Sequence, residues 1–438
     1  MTGFQAEGRQ KKSVMESKVT KLWNRDFSLV IIGQIISIFG NMVLSFALPL
    51  FILDISGSPA LFGLVLGLPY ISLLIMSPIG GILADRLRKQ RIMFWLDVAT
   101  TIIIVLYMIV SGFVSAVVPL VIVKLLALNA IQGMYIPAVQ ASIPLLVPGN
   151  KLTFGNAAAS IVNSISAMAG MAIAGLLYGR FGLFPILVIS AGCFAMTAVM
   201  DAFIRIPFKK QDASGGIAHI IKSDISLSVR FSIKEKPILA KGAVVIFLII
   251  LQLSSILIVG LPVLITEHLG FGMEFVGINQ SIMMVGGLAG GIVAGMMGMK
   301  LTVTRALLFL TAGSLFIAPI GLVFLIDTAV MTSYIILTVS GALVFFGVQL
   351  FNVAAITFVQ QETPTELVGK VMSVILVLPF LAQALGQMLY GTLFESFAAM
   401  PWAIIFITSA LSAIISYYSY AYFRKKMTQS RTSALTRQ

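Results

Sequence analysis

The sequence predicts an all-α membrane protein with twelve transmembrane helices in two pseudo-symmetric six-helix bundles. Composition is the first observation behind this prediction: 59% of the 438 residues are hydrophobic, only 10% are charged, and the mean hydropathy is +1.04. Soluble domains are about 45–50% apolar and about 25% charged. A chain with so few charged side chains cannot cover itself with a water-facing surface, so a soluble globular protein is excluded.

Twelve apolar stretches are the second observation. About 20 apolar residues cross the hydrocarbon core as a helix, because a helix satisfies every backbone hydrogen bond within one segment. Nine of the twelve contain no formal charge, and the other three hold one each, at Asp97, Lys124 and Asp201. The predicted spans are residues 27–53, 61–83, 92–113, 117–138, 156–178, 183–204, 242–266, 276–299, 307–326, 334–357, 371–394 and 402–423.

The third observation is that the chain divides evenly around its longest polar interruption. An internal repeat supports this division, because at a shift of 214 residues Gly81 aligns with Gly295 and Arg91 with Arg305. The predicted organisation is an N-terminal tail 1–26, a bundle 27–204, a loop 205–241, a second bundle 242–423 and a C-terminal tail 424–438.

The positions of the basic residues predict the orientation. In total, 27 of the 29 Lys and Arg residues fall in segments on the same side as the N-terminus, Arg180 falls on the other side, and Lys124 lies within a span. This asymmetry follows the positive-inside rule and predicts a multi-pass protein of the plasma membrane with both termini cytoplasmic. The net charge of +13 therefore indicates topology and contact with anionic lipid, and nucleic acid is excluded as a partner.

Residue counts also exclude several chemistries. One cysteine, Cys193, and two histidines, His219 and His268, are too few for a disulfide framework, a zinc site or an iron–sulfur cluster. The sequence contains no phosphate-binding Gly-x-x-x-x-Gly-Lys-Ser/Thr loop, no His-Glu-x-x-His and no Gly-x-Ser-x-Gly motif. We therefore predict no enzymatic activity, no cofactor and no metal. Any energy must come from an ion gradient or from the gradient of the substrate itself.

The segment between the second and third spans carries a family resemblance. It reads Gly81-Ile-Leu-Ala-Asp85-Arg86-Leu-Arg88-Lys89-Gln90-Arg91, and it resembles the cytoplasmic signature of the major facilitator superfamily, with Arg88 in place of the second glycine of that signature. Acidic and basic groups at helix ends stabilise one conformation through the helix dipole and charge-assisted hydrogen bonds. An inner gate is therefore predicted at Gly81, Asp85, Arg86 and Arg91.

Three further stretches are similar to twelve-span drug efflux transporters of the macrolide-efflux type. They are Trp23-Asn24-Arg25-Asp26-Phe27, Asp54-Ile55-Ser56-Gly57-Ser58, and residues 361–371 around Thr363-Pro364. The resemblance implies the major facilitator fold, a substrate cavity between the bundles near the bilayer midplane, and export of lipophilic drugs against inward proton flow. One departure is that the fifth span reads Gly170-Met171-Ala172-Ile173-Ala174-Gly175, without the Gly-Pro that antiporters of this type often carry there.

Polar side chains inside the spans are candidates for substrate binding. They are costly against lipid and therefore face protein or water, and Gln34, Ser37 and Asn41 recur at helical spacing on one side of the first span. Two interpretations stay open: these groups line a cavity for an amphipathic ligand, or they form hydrogen bonds between helices. The predicted substrate-binding set is Gln34, Ser37, Asn41, Asn163, Lys124 and Gln383.

The charged residues within or beside the spans carry further expectations. Lys124 either contacts an anion or extends its amine to the outer interface. The proton-coupling candidates are Asp97 and Glu267, although Asp97 could instead pair with the basic cluster at Arg86–Arg91. In the eighth span Gly287, Gly291 and Gly295 step by four, which predicts close packing of helix backbones.

Three functions follow from these features. The first is a secondary transporter that exports drugs by alternating access as a monomer, with an amphipathic molecule, the bilayer and protons as partners. The second is an exporter or flippase of an anionic amphiphile, such as a lysophospholipid or a siderophore, because Lys124 suits an anionic cargo. The third is a membrane sensor or scaffold that transports nothing.

Overall fold

The computed structural model is helical, with no strand in the residues it describes. These are residues 24–114, 116–147, 152–206, 230–326, 328–364, 367–375 and 377–435. Most of the predicted N-terminal tail and of the loop 205–241 lies outside them.

Among these residues, six helices correspond to the first six predicted spans. They are α1 Arg25–Ser56, α2 Pro59–Arg86, α3 Lys89–Val110, α4 Val117–Leu146, α5 Leu152–Phe181 and α6 Leu183–Phe203.

Six further helices correspond to the last six predicted spans. They are α7 Pro237–His268, α8 Met273–Met297, α9 Val303–Leu325, α10 Val330–Glu362, α11, which is described at Val368–Ile375 and Val377–Ser396, and α12 Pro401–Leu435. Eleven of the twelve are long and apolar enough to cross a membrane by length and composition, and α5 contributes a shorter apolar helical segment, Ile165–Phe181. The predicted all-α fold is confirmed.

Several helices run past the ends of the predicted apolar spans. A helix ends where the backbone is forced out of the helical region, which is not always where the apolar run ends. At the end of α1 this happens at Gly57, whose φ is 57°, and α2 then begins at Pro59. At the end of α10, Thr363 has an extended backbone because Pro364 follows it.

The described helices form two compact units, and neither unit is one continuous stretch of chain. The first contains Met1–Phe46, Ile75–Gly170 and Phe181–Ser214, and the second contains Ala47–Leu74, Met171–Arg180 and Gly215–Gln438. The bundle boundaries at residues 27–204 and 242–423 stay a prediction.

In the first unit, a hydrophobic cluster joins four helices to the segment that follows α6. It includes the fully buried Phe27 of α1, Ala84 of α2, Met93 of α3 and Ala138 of α4. Phe27 belongs to this cluster, and Asp26 accepts a hydrogen bond from the backbone N–H of Arg205 (3.1 Å), just beyond α6. The stretch therefore has a structural role in tying helix ends together.

The Asn24 side chain makes two hydrogen bonds at these helix ends, and removing it is expected to destabilise the protein. Its Oδ1 accepts from the backbone N–H of Phe27 (2.9 Å), and its Nδ2 donates to the carbonyl of Leu146 at the end of α4 (2.7 Å). A lost helix cap costs about 1–2 kcal/mol, so Asn24→Ala should lower the unfolding free energy in detergent by that amount. The control is Asn129→Ala, because the Asn129 side chain donates to the carbonyl of Leu125 within its own helix. An equal loss in both variants would contradict the role of Asn24.

In the second unit, an ion pair between Lys236 and Glu362 (2.9 Å) connects the start of α7 to the end of α10.

The prediction that Gly287, Gly291 and Gly295 make the close helix contact of the eighth span is wrong by one residue. The backbone of α10 approaches Gly286 and Gly290, where an added Cβ would overlap Ala342 and Phe346 respectively. Gly295 has nothing within 4 Å of its Cβ position, because the face of α8 that meets α10 begins one residue earlier.

Candidate functional site

The polar stripe on α1 is buried within the first unit. Gln34 is 8% exposed and Ser37 is 6% exposed. The Gln34 side-chain carbonyl, Oε1, has no hydrogen-bond partner among the described residues. Asn41 is half-buried and accepts from the hydroxyl of Ser45 (3.4 Å). An unsatisfied buried acceptor costs about 1–3 kcal/mol, so Gln34 is positioned to gain from a ligand or water that donates to it.

Lys124 lies in α4 with its amine buried. The side chain is 3% exposed, and its Nζ lies 3.9 Å from the centre of the Tyr107 ring of α3. No carboxylate lies within 4.0 Å of it among the described residues, and Nζ has no hydrogen-bond partner there. The interpretation that Lys124 extends to the interface is therefore wrong, because the amine turns inward onto an aromatic face, which attracts a cation.

The remaining members of the predicted substrate set are less buried. Asn163 on α5 is exposed, and Gln383 on α11 is half-buried. Gln387, one helical turn after Gln383, is fully buried, and neither of its side-chain amide atoms has a partner among the described residues. Gln383 and Gln387 form a helically spaced polar pair in the sequence, and Gln387 is the more buried of the two.

The predicted inner gate lies at a two-residue turn between α2 and α3. Arg86 is half-buried at the end of α2, Gly81 is half-buried with open space at its Cβ position, and Arg91 is exposed. The side chain of Asp85 lies outside the described residues. The close backbone approach is made by Gly80, whose added Cβ would overlap the Met134 backbone of α4.

The two proton-coupling candidates occupy different environments. Asp97 on α3 is 2% exposed, whereas Glu267 is exposed at the end of α7. Asp97 makes no ion pair with Arg86, Arg88, Lys89 or Arg91, so that pairing hypothesis is wrong. The reason is that Asp97 is buried on α3, which packs against α6, whereas Arg91 is exposed.

Sequence reasoning missed two polar contacts within the second unit. Ser58, which precedes α2, donates to Glu395 of α11, and the backbone N–H of Ala60 donates to the same carboxylate (3.0 Å). Tyr178 of α5 donates to Asp54 of α1 (2.7 Å). Each contact joins helices far apart in sequence, so no local pattern signals it.

Glycines bring the same helices into backbone contact. An added Cβ on Gly63 of α2 would overlap the backbone of Gln387 and Gly391, and one on Gly391 would overlap Pro59 and Gly63. Gly175 of α5 and Gly277 of α8 meet in the same reciprocal way. Small residues permit such close approach of helices, which gives van der Waals contact that lipid cannot replace.

Comparison with known proteins agrees with this architecture. The sequence model of the Major Facilitator Superfamily matches residues 30–387. Macrolide efflux protein A of Streptococcus pyogenes is 22% identical over 386 residues, which cover 87% of this chain and 93% of that protein. Multidrug resistance protein MdtG of a Rahnella species is 27% identical over 199 residues, which cover 43% of this chain and 47% of that protein.

A solved structure supports the fold independently. The crystal structure of the nucleoside transporter NupG superimposes with a TM-score of 0.72 at 13% identity, covering 91% of this chain and 99% of that one. The helix count and the apolar composition agree with the match to the superfamily model, which extends over most of the length of the chain. The chain therefore belongs to the Major Facilitator Superfamily, whose members are membrane transporters rather than enzymes.

Proposed function

We propose that this protein exports lipophilic or amphipathic drugs of the macrolide type across the plasma membrane, in exchange for protons. The observation that carries the proposal is the similarity to macrolide efflux protein A, which extends over nearly the whole of both chains. In this proposal the protein works as a monomer by alternating access, with both termini cytoplasmic. The basic residues on one side of the spans support that orientation.

The proposed substrate contacts are the polar groups within the helices. Gln34, Ser37 and Asn41 supply hydrogen-bonding groups from α1, and the unpartnered carbonyl of Gln34 supports this role most directly. Lys124, Asn163 and Gln383 are proposed as further contacts. A carrier needs groups that are satisfied by the substrate in one state and by water or protein in another.

Alternating access also needs two gates. We assign the inner gate to Gly81, Asp85, Arg86 and Arg91, at the short turn between α2 and α3. The outer gate is assigned to the Gly63–Gly391 contact and to the hydrogen bonds that Glu395 accepts. Glycine contacts and a few exposed hydrogen bonds suit a gate, because neither locks the helices against separation.

The proposed coupling groups are Asp97 and Glu267. Burial supports Asp97, because a carboxyl that changes charge away from water has a large effect on its surroundings. Glu267 is exposed, where water screens the same change.

A second candidate function is export of an anionic amphiphile. The observation that favours it is the buried amine of Lys124, which lacks a carboxylate within 4.0 Å among the described residues. An anionic headgroup would neutralise this charge.

Uptake of radiolabelled erythromycin into proteoliposomes with an imposed pH gradient tests both functions. We expect uptake that depends on the gradient and disappears when an ionophore collapses it. Lysophospholipid is added as a competitor. Uptake of labelled lysophospholipid without any uptake of erythromycin would favour the second function, and transport that follows a sodium gradient would contradict proton exchange.

Gln34→Leu provides the matched test of the site. The substitution removes the unpartnered buried carbonyl, so we expect erythromycin uptake to fall about tenfold, equivalent to one lost hydrogen bond of about 1.4 kcal/mol. The control is Gln140→Leu, because Gln140 is exposed on α4. Unchanged uptake in Gln34→Leu would remove Gln34 from the site.

A further inference from the structure

The start of α3 and the end of α6 form a cavity within the first unit, where the two helices pack against each other. Its volume is about 310 Å³, and its lining residues are Gln90, Arg91, Phe94, Trp95, Asp201 and Ala202. Sites for drug-sized molecules have volumes of about 300–1,000 Å³. A cavity at the lower end of this range suits a small polar headgroup better than a large macrolide ring.

The cavity is lined by a buried carboxyl group that lacks a cationic partner. Asp201 of α6 is 2% exposed, and its Oδ2 has no hydrogen-bond partner among the described residues. No Lys or Arg nitrogen in the described part of the chain lies within 4.0 Å of this carboxyl. Burial of a charge without a partner is costly. A ligand that brings a cationic N–H group to Asp201 would offset this cost.

The cavity is also lined by a cation, Arg91, at the start of α3. The Arg91 side chain is exposed and makes no ion pair with a described residue. The neighbouring side chain of Gln90 is held in place, because its Oε1 accepts from the backbone N–H of Ile206 (3.2 Å). Guanidinium groups bind phosphate oxygens well, and an amide nitrogen can donate to them too. This part of the lining therefore suits a phosphate group.

Two aromatic side chains complete the lining and place it at the edge of the bilayer. Trp95 is 64% exposed, Phe94 is half-buried, and the two rings meet edge to face at 5.2 Å. Exposed tryptophans are enriched at the level of the lipid headgroups. The cavity also lies next to the basic segment Arg86–Arg91 at the end of the spans. A membrane lipid can therefore reach it directly.

We propose that this cavity binds the headgroup of phosphatidylethanolamine from the leaflet on the side of the basic segments. The ammonium group of the lipid donates to Asp201, and its phosphate accepts from Arg91 and Gln90. Phosphatidylglycerol carries no cation for Asp201, and phosphatidylcholine has no N–H to donate. The lipid site goes beyond the proposed export, because the lipid is a bound partner and not the cargo. It shares no residue with the proposed substrate contacts.

Native mass spectrometry of the delipidated protein measures this headgroup preference without any transport. Phosphatidylethanolamine, phosphatidylcholine and phosphatidylglycerol with identical acyl chains are added in turn, and the fraction of protein that carries one lipid is compared. We expect the wild type to bind phosphatidylethanolamine about tenfold more tightly than phosphatidylcholine, which corresponds to about 1.4 kcal/mol.

Variants assign the preference to the cavity. Asp201→Asn should reduce the binding of phosphatidylethanolamine to the level of phosphatidylcholine, whereas Arg91→Gln should weaken both, because both lipids contain phosphate. Ala202→Leu fills the cavity from an exposed position without changing any charge, so it should also remove the preference. The controls Glu235→Gln and Arg305→Gln change exposed charged residues, and Arg305 aligns with Arg91 in the internal repeat. Both controls should keep the preference.

Three outcomes would overturn the proposal. They are equal binding of phosphatidylethanolamine and phosphatidylcholine by the wild type, a preference that survives in Asp201→Asn or in Ala202→Leu, and tighter binding of phosphatidylglycerol than of phosphatidylethanolamine. The last result would indicate a site that recognises negative charge alone. Binding is measured without a drug or a gradient, so failure of the lipid site and failure of the proposed export are separate results.

Discussion

Gly63→Val is expected to abolish export and to leave the Glu395 end of α11 open to water. An added side chain on Gly63 overlaps backbone atoms of Gln387 and Gly391, and backbone cannot move aside as a flexible side chain does. Overpacking of this kind costs about 1–3 kcal/mol. This cost falls only on the state in which α2 and α11 touch, so the closed outer gate should lose about tenfold or more in population.

Cysteine labelling measures this gate directly. Cys193 is the only cysteine of the chain, so Ser58→Cys in a Cys193→Ser background carries one thiol. We expect a membrane-impermeant maleimide to label it faster after Gly63→Val is added. The control is Gly192→Ala on α6, where a Cβ meets nothing within 4 Å. If Gly63→Val labels at the unmodified rate and still transports erythromycin, the contact has no gating role.

The number and type of helices could be predicted from composition, because an apolar run of about 20 residues has few stable conformations in a bilayer other than a helix. The burial of Gln34 and Ser37 followed from their helical spacing for the same reason: lipid excludes them. The ends of α1 and α10 could not be predicted from hydropathy. They depend on Gly57 and on Pro364, which act on the backbone rather than on burial.

The contacts between distant helices were beyond prediction from this one sequence. Asn24 bonds Leu146, and Ser58 bonds Glu395, across 122 and 337 residues of chain. Such pairs depend on the register of two packed helices, and the sequence near each partner contains no trace of the other. The same limitation explains why the nearby arginines were plausible partners of Asp97 in the sequence. In the structure, the helix that carries Asp97 packs against α6.

Lys124→Met is expected to make the protein more stable and less active. The buried amine has only the Tyr107 ring as a compensating group among the described residues. Removing a buried charge that lacks an opposite charge also removes its desolvation penalty, which is about several kcal/mol per ion in proteins. The unfolding free energy in detergent should therefore rise, while uptake of the transported substrate should fall about tenfold if the amine contacts that substrate.

The decisive result is a rise in the unfolding free energy together with a fall in uptake. Substitution of a residue that only supports the fold would lower both quantities. Lys241→Met is the matched control. Lys241 also lies over an aromatic ring, that of Tyr422 at 4.2 Å, but its side chain is exposed, so both quantities should change little. Lys124→Arg, which keeps the charge, should retain more uptake than Lys124→Met. A more stable Lys124→Met with full uptake would show that the buried amine is not part of the substrate site.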